Sequence, residues 1–200
     1  MLGYRLGWLI VACAVVLGLP VVAAPYTETY VFTPAPYTDL YDLNHEHYYS
    51  WGIDWAYAGA PEDIVSATLT FHDIWNDDPI TNKLFMNLLD SAPAGVTRYY
   101  DSNAVESNAF TEGPGVHLFA TWSDPDLGFP NRTTESFALP SSYYAWLTDG
   151  NFGLGLDPDC KFFNNGVDLT IVSKAPELPP GLLLAAVPFA GLVIRRFRRH

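Results

Sequence analysis

Cysteine is nearly absent from this 200-residue sequence: Cys13 lies in an apolar stretch near the start, and Cys160 stands alone in the rest. A disulfide within residues 25–174 is therefore excluded, and that region must hold together by packing. Basic side chains are almost as scarce. Of ten lysines and arginines, Arg5 and four arginines near the end fall outside residues 25–174; five remain there against 21 of the 22 acidic residues, a formal charge of −16. So negative a region repels nucleic acid and anionic lipid surfaces and favours solubility or divalent cations. Helical periodicity never lasts beyond two turns. Catalytic signatures are missing too: there is no Gly-x-Ser-x-Gly elbow, His-Glu-x-x-His pair, phosphate loop or dinucleotide fingerprint. Cys160 sits beside Asp157 and Asp159, whose charge disfavours a thiolate and so argues against a nucleophile.

What remains is a strand-rich middle. Aromatic residues make up 15% of the chain, too many for a disordered one, and about 150 residues suit one domain with a real core. An edge strand is expected at Thr29–Phe32. Tyr49, Trp51, Ile53, Trp55 and Tyr57 alternate with small or polar residues, and Ala67, Leu69 and Phe71 do the same; in a strand each set shares one face. Further strands are expected over 84–89, 116–122 and 133–139. Asp149-Gly150-Asn151 reads as a hairpin turn between Tyr143–Thr148 and Phe152–Leu156. Asn164-Asn165-Gly166 reads as a second, between Cys160–Phe163 and Val167–Val172. Many short strands separated by turns predict an all-β fold, a jelly-roll-like antiparallel β-sandwich over residues 25–174.

The two ends are built differently. Residues 1–24 read as a signal peptide: Arg5 leads, Leu6 to Leu19 form the apolar run, and Val22-Ala23-Ala24 closes it. Residues 175–200 read as a sorting tail. Pro176-Glu177-Leu178-Pro179-Pro180 cannot continue a strand, because proline removes ladder donors. Leu178 to Ile194 is then free of charge for 17 residues, and Arg195, Arg196, Arg198 and Arg199 follow. That length sits at the lower end of what crosses a bilayer as helix, and the arginines hold the terminus on the cytoplasmic side. An ordinary C-terminal membrane anchor would look similar.

This order of Pro176, Glu177 and Pro179, an apolar run and terminal arginines resembles the PEP-CTERM sorting signal of bacterial surface proteins. Leu178 departs from it, standing where that family has Pro-Glu-Pro. The resemblance implies an exosortase-type membrane protease as partner, a membrane-held intermediate, and delivery to the cell surface or extracellular matrix, with exopolysaccharide as a further partner. Trp51-Gly52-Ile53-Asp54, Ile64 to Phe71, and Leu156 to Cys160 before Asn165-Gly166 are similar to strands of β-sandwich domains carried by such proteins.

Site candidates are few. Asp124 with Asp126, and Asp157 with Asp159, sit two apart around a proline, and Asn76-Asp77-Asp78 forms a third acidic turn. Hard oxygens on loops suit calcium, although such residues also cap turns. His45-Glu46-His47 offers two of the ligands zinc needs. The comb of Tyr49, Trp51, Trp55 and Tyr57 suits a core better than a sugar platform; Trp75, Tyr99, Tyr100 and Tyr143 are the better candidates for exposed rings. Asn131-Arg132-Thr133 matches a glycosylation acceptor. The expected function is that of a non-catalytic surface or matrix protein, with a carbohydrate-binding module or a secreted hydrolase as alternatives. Rings exposed in one row would favour the module, and two carboxylates across a cleft the hydrolase.

Overall fold

Alternating side chains give the first long strands, and a computed structural model places them. It describes residues 26–76, 78, 80–101, 107–124 and 132–175. Strand β1 spans Thr27–Phe32, β2 Asp42–Leu43, β3 His47–Asp54, β4 Ile64–Asn76, β5 Lys83–Leu89 and β6 Gly95–Tyr100. Then come β7 (Val116–Ser123), β8 (Thr133–Ala138), β9 (Asn151–Pro158), β10 (Phe162–Phe163) and β11 (Val167–Lys174). Every pairing among these strands is antiparallel, so the described residues are all-β as the pattern predicts.

The strands form two sheets. One runs β1-β11-β4-β10-β2 with β8 added on β4; the other runs β6-β3-β9-β5-β7. Their inward residues join in one buried cluster, with Leu69, Phe71 and Ile171 from the first and Trp51, Met86 and Leu154 from the second. Trp122 of β7 and Phe162 of β10 touch across the layers, ring centroids 5.5 Å apart. Each fully buried leucine or phenylalanine contributes on the order of 1.5–3 kcal/mol by leaving water.

Two expected hairpins take another form. Tyr143–Thr148 is not a strand: Ser141–Tyr143 is a 3-10 turn and Tyr144–Thr148 the short helix α1. Pro140 opens this segment, and Tyr144 and Leu147, three residues apart, are its buried pair. Spacing of three buries one side of a helical turn but opposite faces of a strand, and packing decides for the turn. Likewise β10 and β11 do not pair with each other. Both lie along β4 in one register, Phe163 opposite Trp75 and Val167 opposite Phe71. Asn164–Gly166 is an irregularity inside one long partner strand, held by His72 N–H to Gly166 O (2.9 Å) and Asn165 N–H to His72 O (2.8 Å). Gly166 there takes φ +140°, which glycine tolerates, and a Cβ on it would meet the Tyr37 hydroxyl.

The outer face of the second sheet has a row of glycines, Gly52, Gly153 and Gly155, because other chain crosses it. Ala92 rests on Gly153, the Pro93 carbonyl on Gly52, and the Phe110 ring on Gly155. Ser50 and Gly52 are buried for that reason, although they alternate with the core residues of β3. Thr27 pairs with Lys174, so β1 enters and β11 leaves at one pole of the molecule. The opposite pole carries the start of β3 and β5 and the ends of β6, β7 and β9. The expected leader, and the expected sorting tail with Pro176, Glu177, Pro179, Arg195, Arg196, Arg198 and Arg199, lie outside the described residues. Among the described residues no helix is long and apolar enough to cross a membrane.

Candidate functional site

The pole away from Thr27 and Lys174 carries the acidic turns around Asp78, Asp124 and Asp159 and the exposed rings of Tyr99 and Tyr100. Asp124 and Asp159 flank the start of β5: Asp124 N–H donates to Asn82 O (2.9 Å) and Asp159 N–H to Lys83 O (3.0 Å). Asp159 also accepts the Lys83 N–H, 2.6 Å. In the loop before β5, Asp78 N–H donates to the Asn76 side chain (3.1 Å), and the Asp78 carboxylate accepts Ile80 N–H (3.1 Å) and the Cys160 thiol (3.7 Å). The bonds that Asn76 and Asp78 accept from N–H groups two residues on are turn-capping bonds of the kind Asx residues make. Asp126 and Asp77 lie outside the described residues, as does Asn131. Among the described residues no three His, Cys, Asp or Glu side chains come together to hold a metal ion.

Asp157 and Asp159 accept hydrogen bonds from different segments, Asp157 from Ala109 and Asp159 from Lys83. Leu154 and Leu156 of β9 point into the core, so Gly153, Gly155 and Asp157 point to the outer face. There the segment 107–112 covers the carboxylate, leaving Asp157 only 2% exposed. Ala109 N–H donates to it at 2.6 Å, and a reciprocal amide pair between Asn87 and Asn108 (2.8 and 3.1 Å) fastens the same segment. Burial pushes the Asp157 carboxyl up to about 6, assisted by the charges of Asp101 and Asp159 and opposed by the Ala109 hydrogen bond. The Cys160 thiol is pushed up as well, chiefly by burial, with Asp78 and Asp159 adding to it.

The Asp157 pKa has a definite sign for stability. The folded protein holds this proton more tightly than the unfolded chain. Its contribution is therefore full below the ordinary carboxylate range and is lost as pH rises through about 6. Asp157→Asn keeps an oxygen for Ala109 N–H and removes the buried charge. At pH 7.5 the variant is expected to be more stable than the parent by on the order of 1–2 kcal/mol, and near pH 4 the two should melt together. Thermal melts at the two pH values check this; a variant less stable than the parent at pH 7.5 would refute it.

The ring candidates sort cleanly. Tyr49, Trp51 and Trp55 are buried, as a core comb should be. Trp55 also stacks on Tyr57, centroids 4.4 Å apart. Trp75 is already enclosed, with the Arg132 guanidinium 4.2 Å from its centroid and Phe163 stacked at 5.4 Å. Tyr143 lies flat against His117 at 4.1 Å and meets Trp146 at 4.7 Å. Tyr99 and Tyr100 differ: they end the edge strand β6 and are exposed, Tyr100 by 73%. Tyr99 stacks on Tyr48 (5.0 Å, 14°), and Phe110 meets Tyr48 edge-on. Tyr100 meets His47 edge-on at 6.1 Å. As adjacent strand residues, Tyr99 and Tyr100 project to opposite sides, so they bracket the sheet edge instead of forming a single row. Among the described residues no third metal ligand joins His45 and His47, and Nδ1 of each is buried with no hydrogen-bond partner there.

A cleft of about 410 Å³ beside β1 is lined by Phe32, Thr33, Trp51 and Asp54 among others, with Asp54 its one carboxylate. On the outer face of the first sheet His72 Nε2 bonds Asp168 at 2.5 Å, and the neighbouring Thr70 and Ser136 hydroxyls bond each other at 3.1 Å. Sequence spacing gave no sign of the His72–Asp168 pair, which lies 96 residues apart and needs the β4–β11 register to meet.

No protein-family model matches the chain, and no curated protein matches it significantly. Among solved structures it is similar to a recombinantly expressed latent aurone synthase, a polyphenol oxidase (TM-score 0.44, 10% identity, 72% of this chain and 28% of that one). The same enzyme from natural source gives a TM-score of 0.43, 11% identity, and the same coverage of both chains. The chain thus spans well under a third of the length of these neighbours, and likeness at this level carries no argument about activity.

Proposed function

We propose that this is an exported, non-catalytic protein of the bacterial surface or extracellular matrix, sorted by an exosortase-type system. Its residues 25–174 would form a jelly-roll-like β-sandwich. One observation carries the reading: the order of Pro176-Glu177-Leu178-Pro179, an uncharged run to Ile194, and Arg195, Arg196, Arg198 and Arg199. Such a run suits a transient membrane helix, and the arginines suit its cytoplasmic end. Repeated passage of the chain between two antiparallel sheets supports the jelly-roll-like description. A non-catalytic role is supported by Asp157, whose raised pKa belongs to a carboxyl roofed over by Ala109 and Phe110, out of reach of a substrate.

Processing of the tail is the direct test. Mass spectrometry of the protein recovered from the cell surface is expected to find no peptide from Gly181 onward. Recovery of an intact 195–200 end from mature protein would leave a plain membrane anchor in place of a sorting signal. A second reading, carbohydrate binding at the same location, rests on the exposed Tyr99 and Tyr100, which bracket the sheet edge in place of the single row of rings expected of such a module.

A further inference from the structure

We propose that the edge of the second sheet at Tyr99 and Tyr100 is a binding surface for a neutral polysaccharide; this rests on the carbohydrate-binding reading and names its site and ligand class. Three observations carry it. First, the Tyr99 ring is stiffened from one side by its parallel stack on Tyr48, which Phe110 braces in turn. Among the described residues it has no second aromatic or cationic partner, and it is 36% exposed. A flat ring fixed in this way and partly exposed fits the apolar face of a pyranose, and fixing it in advance lowers the ordering cost of binding.

Second, β6 pairs with β3 and has no strand on its other side among the described residues. Its outward N–H and C=O groups thus have no strand partner among the described residues, and an edge of that kind can bond sugar hydroxyls. Tyr100, projecting from the same edge to the other side, offers a second ring to a chain that crosses β6. Third, the charge selects the ligand. Glu46 and Asp101 adjoin this edge, joined by the Asp101 N–H to Glu46 O bond of 2.8 Å. Arg98, the nearby cation, sits over the Tyr49 ring on the side opposite Tyr99. In a region of formal charge −16, a polyuronate or sulfated chain is repelled and an uncharged glycan is not.

The full chain in mild detergent is to be run through native gels containing dextran, glucomannan or galactomannan, with alginate as the acidic polymer. Retardation by at least one neutral polymer is expected, alginate having no effect. Tyr99→Ala should weaken that retardation at least tenfold and Tyr99→Trp should retain it. Tyr26→Ala, an exposed tyrosine at the opposite pole, should change nothing. If a neutral polymer binds and Tyr99→Ala binds it equally well, the site is wrong while the carbohydrate reading stands. If none of the neutral polymers retards the parent chain, the site and that reading fall together. Retardation by alginate alone overturns the neutral-ligand assignment.

Discussion

Gly52→Ala is expected to destabilise the fold by at least about 3 kcal/mol, near the upper end of what overpacking usually costs. A Cβ on Gly52 would stand 1.9 Å from the Pro93 carbonyl oxygen, 2.5 Å from its carbon and 2.8 Å from the Ala92 oxygen. All three are backbone atoms, so no rotamer change relieves the overlap. Either β3 must shift, and with it Trp51 and Ile53 in the core, or the 92–94 crossing must lift from the sheet and uncover Gly153. Gly113→Ala is the control, since a Cβ there meets nothing within 4 Å; at a compatible backbone position this change commonly stabilises by about 0.4–1 kcal/mol. Urea titration of both variants separates the two outcomes, and equal midpoints for Gly52→Ala and the parent would show that the crossing segment does not rest on β3.

Phe71→Ala comes second, with an expected loss of about 3–5 kcal/mol. Phe71 is fully buried in the middle of β4, opposite Val167 on one side and Glu135 on the other, and its ring meets Phe137 at 6.3 Å. Removing it opens a cavity where β4, β8 and β11 are joined, and the rigid pairing on both edges limits collapse. Phe137→Ala, in the half-buried edge position, should cost clearly less. Calorimetry of the pair tests the ranking, and comparable losses would mean that β8 is as deeply packed as β4.

These two sites differ in how far the sequence disclosed them. Ala67, Leu69 and Phe71 alternate with polar residues, and a period of two needs only one buried face to be readable. Trp51 and Ile53 were legible for the same reason. Gly52 was not, since its burial depends on the chain 40 residues downstream. The Asn164-Asn165-Gly166 turn misled because Asn-Gly chemistry suits both a hairpin and an irregularity within a strand; only the common register along β4 distinguishes them. Tyr143–Thr148 has aromatic residues that strands favour, but Tyr144 and Leu147 are buried on one side by a helical turn. At the candidate site the acidic turns were visible as composition. Their geometry was not: Asp157 and Asp159 are neighbours in sequence yet serve different segments, Ala109 and Lys83. Tyr99 and Tyr100 were named as rings, and their exposure followed from β6 being an edge.

The Thr27–Lys174 pair at the shared pole has a mechanical meaning. Because β1 and β11 are antiparallel and both free ends leave from one place, drawing those ends apart loads the hydrogen bonds between them one at a time, as in a zipper. A pull between the tail and the far pole is different. It runs along β11 and loads its ladders to β1 and β4 in shear, with many bonds sharing the force at once. A tether on the Lys174 side combined with drag on the Tyr99 side thus meets the molecule along its strong axis, whereas a grip on the residues before Thr27 would peel it open.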